Sequence, residues 1–407
     1  MNLCFVHDYL NQFGGAEKTL QAMHEIWPEA PIYTTLVDWR VVEQLNLPKE
    51  LIFYPRWLNL PIIGSFYKYF SFCLPLVFES FDLSRYDLVI SSSANFAKGI
   101  ITRSNQVHIN YCHTPPRFLY HLPTETNRRQ HWFWRPVLAL LDFYLRVWDF
   151  TAAQRVDFFV ANSQNVAGRI KKWYRREAKV IYPPVELASG WREKEAESQT
   201  FGDQSPALKI PSEPGSEKKS GFGESALPAN YYLVVSRLSA YKNIGLVIRA
   251  CARLNRPLKV VGAGPEEGRL KKLVKKLGAP VEFTGFVSDQ KLAGLYAGCR
   301  ALIFSGLEED FGIVPVEAMS FGRPVIALRS GGVAETVEEG KTGIFFDKPA
   351  VNSLMDALLR FESLGYFRAE ECAKACRQQA QKFSKERFQK EFKKFVEGEI
   401  IPFHLIK

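Results

Sequence analysis

The chain has 407 residues, 46% of them hydrophobic and 24% charged, with a net charge of +10. That length predicts two or three domains, with cores large enough to need no disulfide or metal staple, and the composition is that of a folded soluble protein rather than a disordered one. The charge is spread as +4 over residues 1–187, −2 over 188–228 and +8 over 229–407, which suits an anionic ligand or an anionic membrane surface but lacks the dense basic stripe with aromatics expected of a nucleic-acid binder.

The opening MNLCFVHDYL runs straight into a strand with no basic leader, so it does not read as a signal peptide. Strand-like runs follow at residues 3–6, 32–34, 88–91, 107–111 and 158–162, and again at 232–236, 258–261, 281–284, 301–304 and 324–327. Helical periodicity fills most of the gaps, as at 242–254 and 268–277. Alternation of this kind predicts an α/β fold of two doubly wound parallel sheets with helices on both faces. The stretch between them, rich in Ser, Glu, Lys, Gly and Pro, reads as a loosely held insertion. The expected division is a first domain over 1–186, the insertion over 187–230, a second domain over 231–368 and a helical tail over 369–407 that crosses back to the first domain. The seven Cys, odd in number and without zinc-like spacing, point to a reducing, cytosolic compartment. Cys372 and Cys376, four apart on a predicted helix, read as packing residues. No window reaches ~18 uninterrupted apolar residues, so a membrane span is not expected. The apolar stretches 51–81 and 132–150 fit either buried helices or docking of the first domain on a membrane surface.

Ligands of facing doubly wound domains bind at the carboxyl ends of the strands, so the strand-to-helix loops carry the candidate chemistry. In the first loop, Gly14 and Gly15 fit either a tight turn or close approach of an anion to backbone amides. His113 follows a strand and precedes Pro115-Pro116-Arg117; it is either a structural imidazole or a group aimed into the cleft. Arg237 and Lys242 flank a helix start and form either a diphosphate clamp or two solvated cations. The run Gly262-Ala263-Gly264-Pro265-Glu266-Glu267-Gly268 imitates a dinucleotide fingerprint, and Glu282 stands where a ribose-binding acid is expected. However, Glu266 and Glu267 would repel a pyrophosphate, and the run does not open a domain. The strongest loop is 305–324, where Glu309 and Glu317 can each accept paired hydroxyls and the amides of Phe311, Gly312 and Ile313 lead into a helix. Glu317 lies among Val314, Val316, Ala318 and Met319, so its charge needs a partner.

Glu309 and Glu317, seven residues apart within EDFGIVPVEAMSFGRPVIA, resemble the E-x7-E motif of retaining GT-B glycosyltransferases of family 4. SRLSAYK, GAGPEEGRLKKL and SGGVAETVEEGKTGIFF resemble the same family, and VHDYLNQFGGAEKTL with YCHTPPRFLY is similar to its GDP-mannose-dependent O-antigen mannosyltransferases. The resemblance covers nearly all of the chain except the insertion. It implies two Rossmann-like domains facing across a cleft and a nucleotide-sugar donor held mainly by the second.

By that resemblance Arg237 and Lys242 would bind the diphosphate and stabilise the leaving group, and Glu317 would take the ribose. Glu309 and the amides of Phe311, Gly312 and Ile313 would hold the transferred sugar. Val287 and Ser288 would meet the base, Gly14 and Gly15 would approach the diphosphate and acceptor, and His113 would contact the sugar near the reacting carbon. It implies no cofactor and no metal, and a glycan or polyprenyl-linked saccharide acceptor. The charge pattern gives no nucleic-acid partner, and the Cys usage a cytoplasmic protein, with docking at the inner membrane face and buried helices as the two readings of the apolar stretches. The expected donor is GDP-mannose, with a UDP-sugar as the alternative within the family. An NAD-type oxidoreductase and a non-catalytic sugar-binding relative are the alternatives outside it.

Overall fold

A computed structural model describes residues 2–59, 71–124, 135–188, 190 and 231–400. The insertion, from 191 onward, and parts of both apolar stretches (60–70 and 132–134) lie outside the described residues.

The first domain holds a seven-stranded sheet built from β1 (Leu3–His7), β2 (Ile32–Tyr33), β3 (Ile52–Phe53), β4 (Leu88–Ser93), β5 (Val107–Cys112), β6 (Phe158–Ala161) and β7 (Ala178–Val180). Its order is β3-β2-β1-β4-β5-β6-β7, and every pairing is parallel. The second holds β8 (Tyr232–Val235), β9 (Leu258–Val261), β10 (Val281–Gly285), β11 (Ala301–Phe304), β12 (Val325–Leu328) and β13 (Gly343–Phe346). Its order is β10-β9-β8-β11-β12-β13, again all parallel. Helices cover both faces, so strands such as β11 and β12 are buried and apolar along their whole length. In β1 the side chains alternate: Leu3 and Phe5 enter one core and Cys4 and Val6 the other. β4 breaks the rule with buried Ser91, Ser92 and Ser93, and each hydroxyl finds a side-chain partner.

Three strands had no sequence expectation. β3 and β7 have two and three residues, too few to show a period, and β13 opens on Gly343, leaving only three apolar residues behind it. The helix expected at 242–254 starts at Ile244, because Lys242 closes a 3-10 turn and Asn243 is left-handed at φ 54°.

The dinucleotide-like glycines have a packing role. A Cβ on Gly262 or Gly264 would strike the backbone of Ser236 or Leu238, so the two loops lie directly on one another. Glu266 and Glu267 pair with Arg269 and Lys271 on the outer face of their own helix. The oxidoreductase reading therefore has no support.

The tail is built from successive helices. Glu370–Gln381 packs on the second domain, where Cys372 and Cys376 are buried with their sulfurs 4.0 Å apart. Ser384 then caps Lys385–Lys394 by accepting from the Arg387 amide. This second helix places Phe388 and Phe392 in the core of the first domain.

Candidate functional site

Each sheet has one point where its strand order reverses, between β1 and β4 and between β8 and β11. Such a point opens a crevice at the strands' carboxyl ends. The loops leaving these strands carry Gly14 and Gly15 after β1, Arg237 and Lys242 after β8, and Glu309 to Ile313 after β11; His113 leaves the adjacent β5. The two half-sites touch: a Cβ on Gly15 would come within 2.5 Å of Ile313 Cδ1.

In the second domain Lys242 Nζ donates to Glu309 Oε1 at 2.5 Å, both side chains being largely buried. Burial works against the Lys242 charge. The Glu309 carboxylate and the Tyr241 hydroxyl overcome it and hold the pKa above the usual lysine value. The ammonium also lies 5.0 Å from the Tyr241 ring centre. Gly306 is required beside this pair, since a Cβ there would meet Glu309 Oε1 at 2.5 Å. Arg237 is exposed on the same loop.

Glu317 is 6% exposed on the helix Ile313–Ser320 and accepts a 2.8 Å hydrogen bond from the Tyr296 hydroxyl. Burial first, and the Glu317 charge second, raise the Tyr296 pKa, so the phenol stays a donor. Tyr296 is the partner that the sequence demanded without identifying. Gly312, at φ 96°, makes the turn into this helix. Phe311 faces inward against Tyr182 and Phe383, leaving only its backbone for a ligand. Val287 is buried, and Ser288 caps the helix Asp289–Gly298 by accepting from the Lys291 amide. Both sit beyond β10, at the flank of the site.

In the first domain His113 Nε2 shares a 2.8 Å hydrogen bond with Ser92 Oγ, which also meets His7 Nδ1 at 3.1 Å. His7 Nε2 lies 4.0 Å from Glu17 Oε1. Burial, and then the neighbouring His7, push the His113 pKa down to about 3. His113 is therefore a neutral imidazole oriented by Ser92. Asp8, next to His7, accepts four backbone amides, those of Ala94, Asn95, Phe96 and Ala97, at 2.6–2.8 Å. It fixes the loop after β4 against β1. The sequence reading missed Ser92, Glu17 and Asp8 as site supports: Ser92 and Asp8 reach partners more than 80 residues away, and Glu17 meets His7 only across the turn from β1 into the helix Gly15–His24.

Among the described residues, no three His, Cys, Asp or Glu side chains gather as a metal site would need. Arg117 and Arg169 reach across from the first domain to the loop holding Glu309. The HTPPR run displayed Arg117, but nothing in sequence marked Arg169.

The description "Glycosyltransferase Family 4" matches residues 13–189, and "Glycosyl transferases group 1" matches 216–383. Over 155 residues the chain is 31% identical to the sulfoquinovosyl transferase SQD2 of Arabidopsis thaliana, covering 37% of this chain and 29% of that protein. Over 138 residues it is 35% identical to the GDP-mannose-dependent alpha-(1-6)-phosphatidylinositol monomannoside mannosyltransferase of Mycolicibacterium smegmatis, covering 30% and 36%. The chain thus matches less than half the length of these relatives. Among solved structures, Anabaena Alr3699/HepE in complex with UDP aligns over 98% of this chain and 100% of its own, with a TM-score of 0.65 at 19% identity. One family description lies on each sheet, and this architecture is shared: the chain belongs to the GT-B glycosyltransferases of family 4.

Proposed function

We propose that this protein transfers a hexose, with mannose from GDP-mannose as the favoured donor, to a glycan or lipid-linked saccharide with retention of configuration. The observation that carries the reading is the Lys242–Glu309 pair at the second sheet's switch point, with Glu317 on the next helix and Gly15 closing over Ile313. Lys242 and Arg237 take the diphosphate, whose negative charge grows as the bond from the sugar's anomeric carbon to the phosphate oxygen breaks. The acceptor hydroxyl forms the new bond on the same face, and its proton passes to the departing diphosphate. Glu317 has one oxygen on Tyr296 and offers the ribose the other. Neutral His113 hydrogen-bonds the sugar and carries no base role. Donor entry splits Lys242 from Glu309, giving each a new partner of matching charge or polarity, and the cations do this work without a metal.

The mycobacterial relative's name supports mannose and GDP. The UDP complex of the structural neighbour favours a second reading within the family, a UDP-hexose donor. No helix among the described residues is long and apolar enough to cross a membrane. The helix Arg135–Gln154 nevertheless turns Leu140, Phe143, Tyr144 and Val147 outward, Leu140 being 70% exposed, while Leu145 and Trp148 are buried on the other side. That face supports peripheral docking of the first domain on a membrane.

The test is thermal stabilisation by GDP, UDP and ADP at equal concentration without added metal. A nucleotide at ~100 times its Kd adds about 2.7 kcal/mol to the folded state. Selective stabilisation by GDP supports the mannosyl donor, and selective stabilisation by UDP moves the donor to a UDP-hexose. Stabilisation by none, or an undiminished shift in Lys242→Ala, sinks the donor-site reading.

A further inference from the structure

Groups of the first domain converge on one turn of the second. Arg117 and Arg169 both donate to Asp310 Oδ1, at 2.9 and 2.5 Å. Both also donate to the carbonyl oxygen of Glu308, at 2.9 and 3.1 Å. Ser163 Oγ donates to the Asp310 carbonyl at 2.5 Å, and Asn165 Nδ2 to that of Glu309 at 3.3 Å. Thr114 Oγ1 accepts from Arg169 at 3.0 Å and holds it in place. The captured turn is residues 308–310, with Glu309 at its centre.

On its own domain the turn is held by the Ser330 hydroxyl, which accepts from the Glu308 amide at 3.1 Å, and by the Gly332 amide, which donates to the Glu309 carbonyl at 2.8 Å, yet its backbone is strained. Glu308 has φ 54°, in the left-handed region that a side chain of its kind seldom adopts. Such a conformation persists only where its surroundings hold it. Here two guanidinium groups from another domain grip the carbonyl that follows. A planar fork serves a carbonyl and a carboxylate together, which a lysine ammonium does less well. Arg117 further lies 5.1 Å from the centre of the Tyr241 ring, the same ring that carries Lys242.

We propose that Arg117 and Arg169 are positioning residues: by clamping Glu308 and Asp310 they set the turn that aims Glu309 at the transferred sugar, and they do so only when the two domains are together. The proposal rests on the donor-site reading above. Lys242 and Glu317 belong wholly to the second domain, so nucleotide binding does not need the clamp. Placing Glu309 does. A sugar bound to open protein then meets an unfinished site, and transfer waits for closure.

The test uses Arg117→Lys, Arg169→Lys and Asp310→Asn, which keep charge or shape, and the pair Arg169→Lys/Asp310→Asn. Hydrogen exchange is followed at residues 306–313, nucleotide affinity by calorimetry, and kcat and KM with the active donor. Losing a hydrogen bond to a charged group predicts exchange at 306–313 faster by about tenfold or more, and kcat lower by a similar factor. Nucleotide affinity stays within about twofold, and the double variant is no worse than its weaker parent, as coupled residues behave. Unchanged exchange at 306–313, or fully additive losses of kcat, overturns the clamp. Exchange needs no turnover. Wild-type protein that transfers no sugar therefore sinks the donor reading, while the exchange data still decide the clamp.

Discussion

His113 and His108 are the two histidines whose state the fold dictates most firmly. Burial pushes both down to about 3, with His7 adding to the effect at His113 and Arg155 at His108. Each is neutral in the folded protein and takes up a proton near pH 6.5 once unfolded. Between those values the unfolded state binds more protons, so stability rises with pH and is lost as pH falls below about 6.5. Each histidine contributes roughly 1.4 kcal/mol per pH unit in that window. Denaturant midpoints measured between pH 6.5 and 5 avoid most carboxylate titration. Over this range His108→Asn, away from the crevice, should show a shallower decline than wild type. Parallel declines would mean that His108 charges in the native state. For the chemistry, the same depression keeps His113 from switching near neutrality, so a kcat profile over pH 5–8 carries no His113 limb.

At the level of loops and strands, glycines that look alike in sequence have opposite structural roles. A Cβ on Gly332 would strike the Asp310 carbonyl and approach Phe311 Cα to 2.6 Å, whereas one on Gly268 meets nothing within 4 Å. Gly332→Ala therefore displaces the turn carrying Glu309, with an overpacking cost of about 1–3 kcal/mol and loss of most donor turnover. Gly268→Ala, inside the helix Glu267–Leu277, should raise stability by roughly 0.5–1 kcal/mol with turnover intact. Thermal melts and a donor assay on the two variants decide this, and a normal rate in Gly332→Ala would remove the packing argument. The contrast also shows what could be read in advance. Continuous apolar runs such as Ala301–Phe304 declared their strands, and the loops behind them offered the candidate residues that the fold gathers at the strand ends. The supports of that site were not legible. Tyr296 lies 21 residues from Glu317, and Arg117 lies 193 from Asp310. Periodicity reports which face of an element is buried, not which distant side chain it meets.

Across the whole molecule, the described residues tie the two domains at the cleft, through the arginine contacts and those of Ser163 and Asn165, and behind it through the tail. The helix Lys385–Lys394 returns to the first domain, where Lys385 pairs with Glu25 and Gln389 donates to the Ala22 carbonyl. Its Phe392 is fully buried, stacked on Phe388 and edge-on to Trp27 and Tyr111. Tyr111 in turn packs 5.2 Å from the His113 ring, so the tail supports the first half-site from beneath. Phe392→Ala removes that support and should lower the stability of the first domain by about 3–5 kcal/mol, the range for emptying a phenylalanine site. Phe392→Leu refills most of the volume and should cost less than about 1.5 kcal/mol. Urea unfolding followed by tryptophan fluorescence reads the first domain, since all eight Trp precede the second, and nucleotide stabilisation reads the second, which keeps its own core and site. The expected pattern is an early first-domain transition in Phe392→Ala with nucleotide binding retained. Equal transitions in wild type and Phe392→Ala would show that the returning helix lies on the domain without belonging to its core, and His113 would then owe its position to β4 and β5 alone.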